Sequence, residues 1–461
     1  MNKLDRSLKF KDVLILAFST MIGWGWVALT GSWISQGGAL GASFAFLIGA
    51  VLCIFVGLVY SELTPMLPYA GGELVFSYKA LGYHASWFTG WMITFAYIGV
   101  AAWEGPALAT AVDYILQIPR YGYLWTIAGF DVYLTWLIIP AIVGGLLTIV
   151  NLKGIKVSSV FQAAVTLILA LGGISIAIAS FLNGDIENMQ PIFTTKTGLF
   201  SVVLAVPAMF VGFDVIPQAA EEMKLPLKKI PKAIIASICL AAFWYIVVIL
   251  SSSLSAPSNI MSGDGLSVVN AVVYATKSTF FGKIIVITAI MGILSSWNGF
   301  IIGATRVMYS MGRARMLPSL FGMVGKKSKS PIAAIIFVGF ITVFTPLLGK
   351  NSLLWFVDAS AFGTVIAYFM VSISFIVLRI KFPKLDRPYK LKCGAVIGVL
   401  AAIISVFFII LYLPVGSSSL SIEEWIIVAI WIILGFCLYL PGLSKKKDNL
   451  ALREKAMYGK D

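Results

Sequence analysis

The chain has 461 residues, of which 59% are hydrophobic and only 12% charged, and it carries a formal net charge of +14. Soluble domains sit nearer half apolar and a quarter charged, so a water-facing fold of this size cannot hide so much apolar surface, whereas a bilayer removes the difficulty. The basic residues fall in short clusters between apolar runs and not along one face with aromatic stackers, which argues against a nucleic-acid partner.

The chain opens on a basic segment, 1–11, with Lys3, Arg6, Lys9 and Lys11. It runs into an apolar stretch too long for a signal core and without a small-residue cleavage pattern, so the first helix is expected to stay in the mature protein. A helix needs about 20 apolar residues to cross the hydrocarbon. Twelve runs qualify: 12–34, 40–63, 87–116, 132–151, 157–182, 198–220, 231–253, 281–305, 331–349, 355–379, 394–413 and 423–441. A basic tail, 442–461, follows the last.

The first run is interrupted by Ile22-Gly23-Trp24-Gly25-Trp26. Each glycine weakens a helix by about 1 kcal/mol relative to alanine, although close helix packing is the other common use of glycine in membranes. In the third run, Glu104 follows Trp103 about seventeen residues from the start, which at about 1.5 Å per residue lies near the midplane. The sixth run holds Gly212 and Asp214 between Pro207 and Pro217. Proline removes an amide donor and clashes with the preceding turn, and unpaired backbone at this depth must line a cavity or be covered by protein. Glu62, Asp113 and Asp358 lie nearer span ends, where snorkelling or capping is expected. Ser295 and Ser296 in the eighth run can bond between helices or, with first-helix carbonyls, form a sodium site. Cys53, Cys239 and Cys437 fall inside apolar runs and read as small core hydrophobes, with no disulfide framework. His84, the single histidine, receives no role.

Twelve spans place both ends on one side. All but five of the 34 basic residues (Arg120, Lys196, Lys277, Lys283 and Lys350) fall on the side of the termini, which makes that side cytoplasmic by the positive-inside rule. The two interruptions open two five-helix sets, 12–182 and 198–379, and 394–441 lies outside them. The link after the second helix is long in both sets (64–86; 254–281) and the link after the fourth is short in both. Five is odd, so the second set lies inverted. Paired glycine and proline interruptions in two halves point to the central site of a secondary transporter.

At these residues the chain resembles the amino acid–polyamine–organocation superfamily of permeases, of the bacterial amino acid permease type, from about Asp12 to about Pro441. Four stretches carry the likeness. They are the glycine-interrupted first helix, then Pro68-Tyr-Ala-Gly-Gly72-Glu73 with Ala80-Leu-Gly82 and Gly90-Trp91. The third runs from Gly212-Phe-Asp214 through Glu221-Glu222-Met-Lys224-Leu-Pro226, with Ile230-Pro231 after it. The fourth is Thr305-Arg306-Val-Met-Tyr309 with Ala314-Arg315-Met-Leu-Pro318. The resemblance implies an all-α polytopic protein of twelve transmembrane helices, with a 5+5 inverted repeat of the leucine-transporter fold plus two further helices and alternating access. It implies a substrate held at Ile22, Gly23, Trp24, Gly25, Trp26, Phe210, Gly212, Phe213 and Asp214, with the third and eighth helices lining the site. Trp24 stands where the family usually has a small residue, and an indole there narrows the pocket at the carboxylate subsite or turns away from it. Some proton-coupled relatives carry a lysine inside the fifth helix, and that position is Leu169 here.

The expected substrate is an amino acid, neutral or cationic, with Trp103, Glu104 and Asp214 at the site. Glu104 and Asp214 are candidates for holding an ammonium or a coupling proton. An amine, ethanolamine or polyamine permease of the same fold is the alternative within this class, and a channel the alternative outside it. Proton or sodium is the expected coupling ion. A channel would show a repeated filter motif or a ring of like charge, and neither is visible. An enzyme would need a catalytic cluster, and the chain has one histidine, no HExxH and no GxxxxGK[ST]. No cofactor and no metal are expected.

Overall fold

A computed structural model of the chain describes residues 4–261, 266–416, 418–444, 454, 457 and 458. Most of it is helical. In order come α1 (Phe10–Thr20), α2 (Gly25–Ala28), α3 (Thr30–Gly37), α4 (Ala39–Met66), α5 (Gly72–Leu81) and α6 (Tyr83–Leu116). A hairpin, β1 (Tyr123–Ile127) and β2 (Phe130–Tyr133), leads to α7 (Leu134–Leu152), α8 (Ile155–Asn183), α9 (Lys196–Met209) and α10 (Val215–Gln218). Then follow α11 (Ile230–Ser255), α12 (Ser267–Thr276), α13 (Thr279–Arg313), α14 (Ile332–Phe344), α15 (Gly349–Lys381), α16 (Gly394–Tyr412) and α17 (Ile422–Ser444).

Among the described residues, eleven helical stretches are long and apolar enough to cross a membrane. Helices dominate because lipid offers no partner for an open N–H or C=O, so each segment must satisfy its own backbone. The run 198–220 does not reach that length. Its helix stops at Met209, and α10 restarts only at Val215. The long links contain their own short helices, α5 and α12, and the link 117–133 folds into an antiparallel hairpin pairing Thr126 with Asp131.

Apolar side chains such as Leu167, Phe243, Ile403 and Ile430 stand exposed on the outer surface, where lipid would cover them. Cys53 is buried as expected, but Cys239 and Cys437 lie on the exposed faces of α11 and α17. An apolar run fixes membrane depth and leaves open which way a side chain points. The third and last spans are joined by stacked indoles: Trp91 and Trp431 lie 4.4 Å apart, and each donates its Nε1–H to the other's carbonyl oxygen, at 2.9 and 3.1 Å.

The broken elements sit at the centre. α1 packs on α8, α11 and α13, and α10 on α5 and α13. Between α8 and α13, Gln162 donates to Ser19 Oγ (2.7 Å) and to the Ser295 carbonyl (2.9 Å). Asn298 donates to Gln162 Oε1 at 2.6 Å, and Asn151 donates to Asn298 Oδ1 at 2.8 Å. These bonds tie α7, α8 and α13 to the end of α1. Ser295 Oγ lies 2.8 Å from the Gly292 carbonyl oxygen of its own helix and 3.1 Å from the Ser19 carbonyl oxygen of α1.

Candidate substrate site

α1 ends at Thr20, and Met21 to Trp24 run without helical structure. The Tyr245 hydroxyl of α11 donates to the Met21 carbonyl freed there, at 2.9 Å. The second break, Phe210 to Asp214, faces the first. Gly212 has φ of +136°, and an added Cβ would lie 3.0 Å from the Met21 amide nitrogen, so only glycine permits the approach. Asp214 folds back and accepts from the Gly212 amide at 2.8 Å, holding the break open.

A cavity of about 550 Å³ lies against these breaks. Gly23, Trp24, Gly25, Trp103 and Glu104 line it, with Tyr245, Ser296 and Phe300 beside them. It continues past Asp358 to the connection between α16 and α17, where Tyr412 and Glu424 border it. The Glu104 carboxyl and the Ser296 hydroxyl both lie against Gly23, and Glu104 Oε2 is buried without a partner. An added Cβ at Gly23 would overlap the Glu104 carboxyl and lie 2.9 Å from Ser296 Oγ. The described lining holds three carboxyl groups (Glu104, Asp358 and Glu424) and no Lys, Arg or His. Asp358 thus borders the cavity, and its carboxyl faces that of Glu424. Nothing in the sequence joins these two residues, which are brought together only by the packing of α15 on α17.

The remaining residues singled out in the sequence lie elsewhere. The carbonyls of Ile22 and Gly23 approach Gly292 of α13. Trp26 is fully buried in an edge-on contact with Trp244 at 5.5 Å. Phe210 packs on Phe46 and Tyr245, and Phe213 on Tyr60 and Tyr368. Asp214 faces the Tyr97 and Tyr368 hydroxyls, and its Oδ2 lacks a hydrogen-bond partner.

Beyond the breaks, the face that carries both described termini is closed. The segment Arg6 to Leu8 pairs with Glu222 to Lys224: the Ser7 and Leu8 amides donate to the Glu222 carbonyl, and the Lys224 amide donates to the Leu8 carbonyl at 2.7 Å. Arg306 holds Glu222 with two bonds of 2.8 and 3.0 Å, both side chains fully buried. Arg313 pairs with Glu221 at 2.9 Å, and Glu221 also accepts from the Ala70 amide. Arg313 reaches the Met457 carbonyl at 3.2 Å, and the Tyr458 ring rests on Tyr69 at 5.2 Å. Glu62, expected at a span end, is buried in ion pairs with Arg379 (2.5 Å) and Arg387 (3.1 Å). Asp113 ends α6 as a cap, accepting from the Ile118 amide, and pairs with Arg120.

Glu73, which sequence reasoning passed over as part of a loop motif, is also fully buried. It accepts from Tyr60 at 2.9 Å and from Gln218. Burial pushes its carboxyl up, and the nearby Asp214 charge adds to the rise.

Residues 12–451 match the amino acid permease family. The chain is 28% identical to the branched-chain amino acid permease BcaP of Bacillus subtilis, over 97% of this chain and 95% of that protein. It is 26% identical to a methylthioribose transporter of the same organism, over 97% and 95%. It is 25% identical to the vacuolar cationic amino acid transporter 2 of Arabidopsis thaliana, over 82% of this chain and 60% of that protein.

Proposed function

The chain belongs to the amino acid permease family, and from that premise we propose that it is a secondary carrier of neutral or cationic amino acids, working by alternating access across the plasma membrane. It is a multi-pass membrane transporter and not an enzyme. The finer reading counts α9 and α10 as the two halves of one interrupted span, which makes twelve, with α1 to α8 and α9 to α15 as the inverted five-helix repeats. It places both termini in the cytoplasm and the mouth of the cavity outside.

One observation carries the reading: two facing helix breaks border a cavity into which Glu104 projects without a cationic partner. A substrate ammonium would supply the missing charge, and the lining carboxyls disfavour an acidic amino acid. Aromatic rings of Trp24, Trp103 and Phe300 would close over its apolar part. The exposed amides of the breaks would hold a carboxylate. Since the Trp24 side chain borders this same space, an amine lacking the carboxylate is the second reading.

The test is a thermal-shift screen of purified protein against amino acids and their decarboxylated analogues. Uptake of the hits into proteoliposomes under imposed proton or sodium gradients follows. Leucine-type or arginine-type amino acids should stabilise wild type, and Glu104→Gln should weaken that effect by about tenfold or more in apparent affinity. Binding unchanged in Glu104→Gln and Asp214→Asn would reject this site.

A further inference from the structure

A second carboxyl lies between the breaks and the closed face. Glu73 stands in the first turn of α5, with none of its surface exposed. Tyr60 of α4 donates to its Oε1 at 2.9 Å, and Gln218 of α10 bonds to its Oε2. The Gln218 amide nitrogen also lies 3.3 Å from the Tyr97 hydroxyl of α6, which faces Asp214. The groups that surround the two carboxyls are therefore Tyr60 and Cys53 on α4, Tyr97 on α6, Gln218 on α10 and Tyr368 on α15. None of these carries a positive charge. The described ion pairs engage Arg306, Arg313, Arg379 and Arg387 with other acids.

Two fully buried carboxylates that act on one another, with no cation among the groups around them, do not both stay ionised. We propose that Glu73 is a proton-binding site of this chain, sharing one proton with Asp214 while the face bearing the termini is closed and releasing it to that face when the face opens. This rests on the carrier reading for its purpose, though not for its chemistry. The step balances simply: one carboxyl O–H breaks, and the proton passes to entering water.

The location fits the release. α5 docks on α10 through Gly71 and Gly72, both at positive φ, and the Gly71 amide donates to the Gln218 carbonyl at 3.4 Å. A Cβ on Gly72 would lie 2.8 Å from Pro217 Cβ. The contact that buries Glu73 is thus the contact between the Pro68-to-Glu73 loop and the sixth-run segment, next to Glu221, whose carboxylate accepts from Ala70. Parting these elements admits water to Glu73, and a solvated carboxyl ionises.

The experiment is infrared difference spectroscopy of the purified full-length protein, titrated between about pH 5 and about pH 9. Wild type should show the carbonyl stretch of a buried protonated carboxyl at neutral pH, disappearing on alkalinisation. Glu73→Gln should lack that component, which therefore stands out in the wild-type-minus-variant spectrum. Asp214→Asn should lower its midpoint, because a neighbouring negative charge is gone. Tyr60→Phe, which deletes a donor to the ionised form, should raise it and stands in where Glu73→Gln fails to fold. Midpoints identical in wild type, Asp214→Asn and Tyr60→Phe, or spectra identical in wild type and Glu73→Gln, would overturn the proposal. The spectrum needs no substrate, so its failure is separate from that of the carrier reading.

Discussion

Single residues at the breaks have little room to vary. Gly23 touches the Glu104 carboxyl and Ser296 at a distance that admits no Cβ. Gly23→Ala should therefore displace Glu104 at an overpacking cost of about 1–3 kcal/mol. Uptake by Gly23→Ala should fall about tenfold or more, while an alanine at Gly145, where a Cβ meets open space, should leave it unchanged. Glu73 makes a prediction of known sign. Its carboxyl is raised in the folded protein, so its contribution to stability is complete below the ordinary carboxyl range, near about pH 4.3, and is lost as pH rises through the higher folded value. The melting temperature of wild type should drop on alkalinisation, and Glu73→Gln should flatten that slope. Parallel slopes for the two proteins would contradict it.

At the scale of elements, the sixth-run break depends on one backbone conformation. Gly212 at φ +136° lies against the Met21 amide, and its own amide is held by Asp214. Gly212→Ala should cost about 1–3 kcal/mol in strain, read as a lower melting temperature together with loss of stabilisation by ligand. Asp214→Asn keeps an acceptor for the Gly212 amide and should be milder in stability. A ligand-induced shift preserved in Gly212→Ala would show that the break is not needed for binding.

For the whole molecule, the decisive feature is the closed face. Arg306 and Glu222 are both fully buried, so Arg306→Gln leaves an uncompensated carboxylate, a loss of about 3–5 kcal/mol for the closed arrangement. The same variant should speed labelling of a cysteine placed at Ser310, which lies against Gly71, by an impermeant maleimide from the face of the termini. An unchanged rate would mean that this ion pair does not hold the face shut. Sidedness has its own test. Native Cys393 is exposed in the connection between α15 and α16, on the side of the basic cluster Arg379 to Lys392. It should label in inside-out vesicles and not in intact cells.

Much of this was legible in the chain itself. The apolar runs gave the membrane and the helices, because length and hydropathy act locally and lipid leaves the backbone few choices. Gly23, Gly25, Pro207, Gly212 and Pro217 marked both breaks, because these residues change backbone energetics wherever they stand. What the sequence could not express is which faces meet. Trp26 and Phe213 turn into packing while Trp24 and Trp103 border the cavity, and rotation about a helix axis decides this only against neighbours. Glu73 beside Gln218, Arg306 on Glu222 and Asp358 facing Glu424 join residues distant in the chain. Such pairs exist only once helices have packed, since a buried charge chooses its partner by proximity in space and leaves no periodic trace along the chain.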